Sequence, residues 1–141
     1  MTNTEKLAQL NQWNKNTLME TLGIVFTELG DDYLVGTMPV NPRVHQPLGM
    51  LHGGASIAFA ESLGSCLSNI LVAQEGKAAV GTSINSNHLK SKTEGVITST
   101  AKIIRKGQTL HFLEIEIRDE NGSLICHCTM SNMVINRKID K

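Results

Sequence analysis

Net charge, a disulfide framework and aromatic side chains are all scarce in this 141-residue chain. Thirteen Lys plus Arg balance thirteen Asp plus Glu, so the overall field favours neither nucleic acid nor an anionic membrane as partner. Any recognition of phosphate must then be local. The three cysteines, Cys66, Cys126 and Cys128, are an odd number without framework spacing, which fits a reducing compartment. The opening segment MTNTEKLAQLNQWNKN has no apolar signal core, and no apolar run reaches the roughly 18 residues of a membrane span. The chain is therefore expected in the cytoplasm, away from membranes. Aromatic content of 4% within 40% hydrophobic residues leaves a core of Ile, Leu, Val, Met and Ala. Repeats, low-complexity tracts and linkers are absent, and one domain over residues 1–141 is expected.

What is present alternates in a readable order. Residues 4–19 read as a short amphipathic helix carrying Leu7, Leu10, Trp13 and Leu18. GIVFTEL and YLVGTMPV, divided by Gly30-Asp31-Asp32, read as a hairpin. A long apolar helix follows over Ala55–Ala73, and then four strands over 78–90, 95–105, 108–118 and 122–136. In LHFLEIEIRDENG, Leu113, Ile115 and Ile117 face one way and Glu114 and Glu116 the other, before an Asn-Gly turn. The order predicts an α+β fold, an antiparallel sheet curved around one central helix. That helix is apolar on nearly all sides, the mark of a helix wrapped by its surroundings.

Two local patterns bear on chemistry. Cys126-His127-Cys128 invites a metal reading, but strand alternation sends the two thiols to one face and the imidazole to the other, whereas a tetrahedral ion needs converging ligands. No metal is expected. The second pattern is QPLGMLHGGASIAFAESLGS. Glu61 is the single acid of this run, and no Lys or Arg lies between Arg43 and Lys77, so no helical neighbour neutralises it. One reading is an exposed acid on a wet stripe. The other is a functional carboxylate at a cleft, where partial burial strengthens it as a base, with Ser65 one turn on to orient it.

His52-Gly53-Gly54 opens the same helix. First-turn N–H groups are unpaired, and glycine lets a ligand atom approach them, so with the helix dipole they suit negative charge developing on oxygen. Gly53 and Glu61 are nevertheless separated by about 12 Å of helix rise. If both act on one substrate, Glu61 comes from a second subunit related by a two-fold axis.

QPLGMLHGGASIAFAES, together with GTSINSNHLKS some twenty residues after Glu61, resembles the hotdog-fold acyl-CoA thioesterases. The likeness is strongest to the bacterial branch acting on 1,4-dihydroxy-2-naphthoyl-CoA (a step of menaquinone biosynthesis), aryl carrier-bound benzoyl groups and 4-hydroxybenzoyl-CoA. It covers nearly the whole chain. The resemblance implies a sheet wrapped round a central helix, assembled as dimers or dimers of dimers with shared sites. It also implies Glu61 as nucleophile or general base, the Gly53 N–H as oxyanion donor and Gln46 near the carbonyl and attacking water. His52 would orient the thioester or meet the departing thiolate, and Ser65 would support Glu61 or ring substituents. It further implies His88, Lys90, Ser91, Arg105, Lys106 and Gly107 along the nucleotide and pantetheine path, with Gly81 close by. Coenzyme A or a carrier-protein thioester would be the partner and no separate cofactor would be needed.

The chemistry is coherent. A thiol is a far better leaving group than an alcohol or amine, so one carboxylate and one donor can suffice without a strong general acid. A nucleophile elbow, Gly-x-Ser-x-Gly, is absent. Two other functions remain open: a 3-hydroxyacyl-thioester dehydratase or hydratase using His88 or His52 as base, and an acyl-thioester binding module without turnover. A DNA-linked regulator would need an added basic helical segment.

Overall fold

The computed structural model describes residues 1–137. Helices α1 (Asn3–Trp13) and α2 (Leu18–Leu22) precede strands β1 (Val25–Leu29) and β2 (Tyr33–Val40). A 3₁₀ turn, Pro42–Val44, leads to the long helix α3 (Gly53–Val72), and strands β3 (Lys77–His88), β4 (Gly95–Lys106), β5 (Leu110–Arg118) and β6 (Leu124–Asn136) complete the chain. All strands pair antiparallel in one six-stranded sheet of order β1-β2-β4-β5-β6-β3. This is the hotdog architecture, α+β, with α3 on the concave face.

The single helix expected over residues 4–19 is two helices. Asn16 takes a left-handed φ of 62° and the Thr17 hydroxyl donates to the Asn14 carbonyl. A short polar residue tolerates such a turn, and the helical path breaks there.

The core follows from two periodicities. Phe59, Leu63 and Leu67 recur at i, i+4 along α3, and all are buried. They meet Leu34, Met38, Ile97, Ile115, Ile117 and Met130 from alternate positions on the strands, which is the packing expected of a helix stripe on a pleated face. Phe59→Ala should cost about 3–5 kcal/mol, read as a lower denaturant midpoint in equilibrium unfolding.

The reading of α3 as wrapped on all sides needs correction. Its length and apolar composition match a membrane span, but the sheet buries only the face carrying Ser56, Phe59, Ala60, Leu63, Gly64, Leu67, Ser68 and Val72. The opposite face, with Ala58, Glu61, Ser62, Ser65, Cys66, Asn69 and Ile70, lines an open cavity.

The two edges of the sheet are treated differently. On β1, α1 covers the edge: Asn11 donates to the Phe26 carbonyl at 2.9 Å and accepts from the Phe26 N–H at 2.9 Å, and Asn3 donates to the Leu29 carbonyl at 3.0 Å. On β3, Asn69 of α3 serves only Ala79, through bonds of 3.0 and 2.9 Å. From Gly81 to His88 no element covers the edge among the described residues. An uncovered strand edge is a template for another strand.

Candidate active site

The amino end of α3 is built by a pinned loop. His45 bridges Leu51, the Gln46 N–H donates to the Met50 carbonyl at 2.8 Å, and the Gln46 side-chain oxygen accepts from the Leu48 N–H. His52 is the helix N-cap: its Nδ1 accepts from the Gly54 N–H at 2.8 Å. This leaves Nε2 as the ring's free nitrogen. The Gly53 N–H has no acceptor among the described residues, as the first donor of a helix should.

The need for Gly53 is steric. A β-carbon there would stand 2.9 Å from His88 Nε2 and 3.1 Å from its Cε1, so the imidazole of β3 lies directly over the first turn of α3. The resemblance implied a place for His88 on the coenzyme path. The fold sets it against Gly53.

Glu61 lies exposed two turns along α3, with no ion pair or hydrogen bond among the described residues. A β-carbon on Gly81 would meet its Oε1 at 2.8 Å, so Gly81 is the floor beneath the carboxylate. Glu61 and Ser65 share the wall of a cavity of about 800 Å³ with Leu10, Trp13, Met19 and Ile70. Gln46, His52 and Gly53 are not on that wall. Ser65 shares the cavity but makes no hydrogen bond to Glu61, and its carbonyl accepts from Asn69. One chain thus holds two separate clusters, Gly53 beneath His88 near one end of the bare edge and Glu61 over Gly81 near the other.

The basic segments are less free than their sequence suggests. Lys90 is bound to Asp119 at 3.0 Å and Lys92 to Glu120, and Ser91 lies exposed between them. Those contacts hold Asp119 below the usual carboxylate range, chiefly through Lys90, and bring Glu120 from 4.5 to about 2, chiefly through Lys92. A depressed acid stabilises the fold above its unfolded pKa and ceases to do so as pH falls through the folded one. The difference in melting temperature between wild type and Glu120→Gln should accordingly shrink as pH is lowered from 4.5 toward 2. The N–H of Gly107 is not free for a ligand, because the Leu110 carbonyl accepts it at 2.9 Å. Lys106 and Gly107 border a smaller hollow of about 280 Å³ with Lys77, Gln108 and His111, whereas Arg105 lies exposed opposite Phe112.

Cys126 and Cys128 share the buried face while His127 turns away to Glu114 at 3.0 Å. No cluster of three metal-ligating side chains occurs among the described residues. Cys66 on the cavity wall is pushed up to about 12 by burial. Three features escaped sequence reading: the cavity wall supplied by α1 and α2, the contact of His88 with Gly53, and a buried chain in which Ser68 Oγ meets His111 Nδ1 at 2.9 Å and accepts from Asn132 at 2.8 Å. All three join segments distant in sequence. Only the small and polar run GTSINSNH hinted that β3 has a special role.

Residues 48–126 match the family model described as thioesterase superfamily. An esterase-named protein of Vibrio cholerae is 46% identical over 117 residues, spanning 83% of this chain and 77% of the relative. The crystal structure of a Haemophilus influenzae thioesterase superposes with a TM-score of 0.89 at 40% identity, covering 92% of this chain and 90% of that one. A Staphylococcus aureus thioesterase, 34% identical with a TM-score of 0.80 over 83% of this chain and 97% of its own, has been solved with a glutamine replaced by alanine. The same protein has also been solved with a glutamate fifteen residues later replaced by alanine.

Proposed function

The chain belongs to the thioesterase superfamily, and from that premise we propose that it hydrolyses acyl-CoA thioesters with an aromatic acyl group, in a site shared by two copies in the cytoplasm. The observation that carries this reading is the position of the two half-sites on one bare strand. Pairing β3 antiparallel with β3 of a second copy, about a two-fold axis near Ile84 and Asn85, brings Gly81 toward the partner's His88. The same operation brings Glu61 toward the partner's Gly53. Within one chain the two are about 12 Å apart along the helix.

In that arrangement the partner's Gly53 N–H polarises the thioester carbonyl while Glu61 attacks it or activates water. Gln46 borders the carbonyl, and His52 offers Nε2 from a ring fixed by its capping bond. Gln46 and Glu61 are fifteen residues apart, the spacing of the glutamine and glutamate replaced in the Staphylococcus aureus enzyme, which supports assigning them as a working pair. The cavity beside Glu61 suits a ring: it is within the usual size of ligand sites, about 300–1,000 Å³, and offers Trp13, Leu10 and Ile70 with the Ser65 hydroxyl among them. Lys106 and Gly107 at the smaller hollow, with exposed Arg105, are the better candidates for coenzyme phosphates, since Lys90 is already matched by Asp119. The chemistry calls for no metal or organic cofactor. A hydratase, using His88 or His52 as base, is less well supported, because the unpaired acid midway along α3 suits hydrolysis better.

The reading is tested by free-thiol release over matched aryl and alkyl CoA thioesters. Aryl-CoA should show the highest kcat/KM. Absence of thiol release from every ester, with tight binding retained, would instead identify a binding module.

A further inference from the structure

Behind the amino end of α3 lies a thiol cluster that the proposed hydrolysis does not use. Cys126 Sγ is 3.6 Å from His88 Nδ1, 3.0 Å from Ser86 Oγ and 3.7 Å from Cys128 Sγ, and Ser86 Oγ is 3.4 Å from Cys128. Both thiols are fully buried, whereas His88 is exposed. His88 is therefore held from behind by Nδ1 while Nε2 lies over Gly53. Ordinary core cysteines carry no such set of polar neighbours.

We propose that Cys126 is a positioning residue for His88: its sulfur holds Nδ1 and aims Nε2 at the amino end of α3, where the ring gives a proton to the sulfur leaving the acyl group. This rests on the reading above, in which the carbonyl is polarised at Gly53. As the C–S bond breaks, its electron pair goes to the departing sulfur, which takes the proton from Nε2. Water supplies the hydroxyl of the acid product, and the proton it releases to Glu61 returns through solvent to the ring. Neither oxidant nor metal enters the balance.

The electrostatics of the cluster agree. Hydrogen bonding from Cys128, aided by Ser86 and by His88, brings the Cys126 thiol down from 9.0 to about 6 against the opposing effect of burial, while Cys128 is raised by the same contact. A thiol lowered in this way is a stronger hydrogen-bond acceptor for the Nδ1 proton of His88. On β5 the register partners of Cys126 and Cys128 are the uncharged Ile117 and Ile115, Lys90, two residues beyond His88, is matched by Asp119, and the charge facing the exposed side of the ring in the shared site is the partner's Glu61.

The test compares two thioesters of one aryl acid, with coenzyme A and with the more acidic thiophenol, in the full-length enzyme. A proton donor matters most for the poorer leaving group. His88→Gln should lose about a hundredfold on the CoA ester, the lower end for general acids, and much less on the thiophenyl ester. Cys126→Ala should repeat that bias at about tenfold, with Cys126→Ser recovering part of it. The ultraviolet band of a thiolate should be present in wild type at neutral pH and move to higher pH in His88→Gln, a reading that holds even if Cys126→Ala fails to fold. Equal losses on both esters, full activity in Cys126→Ala, or a thiolate band indifferent to His88 overturns the proposal. If wild type releases no thiol from CoA esters, the hydrolytic reading falls too; if turnover needs Glu61 but not Cys126, only this inference falls.

Discussion

Glu61→Ala is expected to lower kcat/KM for aryl-CoA hydrolysis by about 1,000-fold, within the range removed with a base or nucleophile. The loss should appear in kcat, with KM little changed, because the carboxylate touches the reacting carbon and the acyl cavity remains. The physical case is the isolation of this acid. Among the described residues nothing pairs with it, and a β-carbon at Gly81 would crowd its Oε1. Melting should scarcely move, since an exposed carboxylate without partners contributes little to folding. Retention of more than about a tenth of wild-type activity would remove Glu61 from the chemistry. A single turnover in heavy-oxygen water then separates attack by Glu61, which places label in the carboxylate, from attack by water.

Disrupting the bare edge of β3 is expected to match that loss. Ser83→Glu combined with Asn85→Glu sets four like charges on adjoining strands of a β3 pair, within a residue or so of the two-fold axis. Like charges brought together across neighbouring strands are destabilising. Both positions are exposed in the single chain, so the fold should persist while sedimentation reports a monomer. Activity should fall to the level of Glu61→Ala, since each monomer keeps two half-sites and no complete one. A folded, active monomer would refute the sharing of the site.

Much of this was legible from sequence because local rules and tertiary packing agree. The alternation of Leu113, Ile115 and Ile117 marks a strand face whose three residues are all buried, and the six strands and long helix occur in the expected order. The hotdog family followed from the motif around His52-Gly53-Gly54 and Glu61. What the sequence concealed depends on neighbours far along the chain. Asn16 breaks the first helix through a left-handed φ. Lys90 looked free as a phosphate ligand until β5 ended in Asp119 beside it. The Gly107 turn spends its N–H on Leu110. His88 was legible as polar but not as the ring over Gly53, because that contact requires the crossover that carries β3 to the sheet edge.

The most direct test mixes two inactive chains. Glu61→Ala keeps a sound amino end of α3, while Gly53→Val keeps Glu61 but drives a side chain into His88. Either homodimer should be inactive. After co-expression or joint refolding, half the dimers are mixed and each has one intact site of two, so activity should return to about a quarter of wild type. A mixture as inactive as its components, with mixed dimers demonstrated, would contradict a site built from one subunit's Glu61 and the other's Gly53.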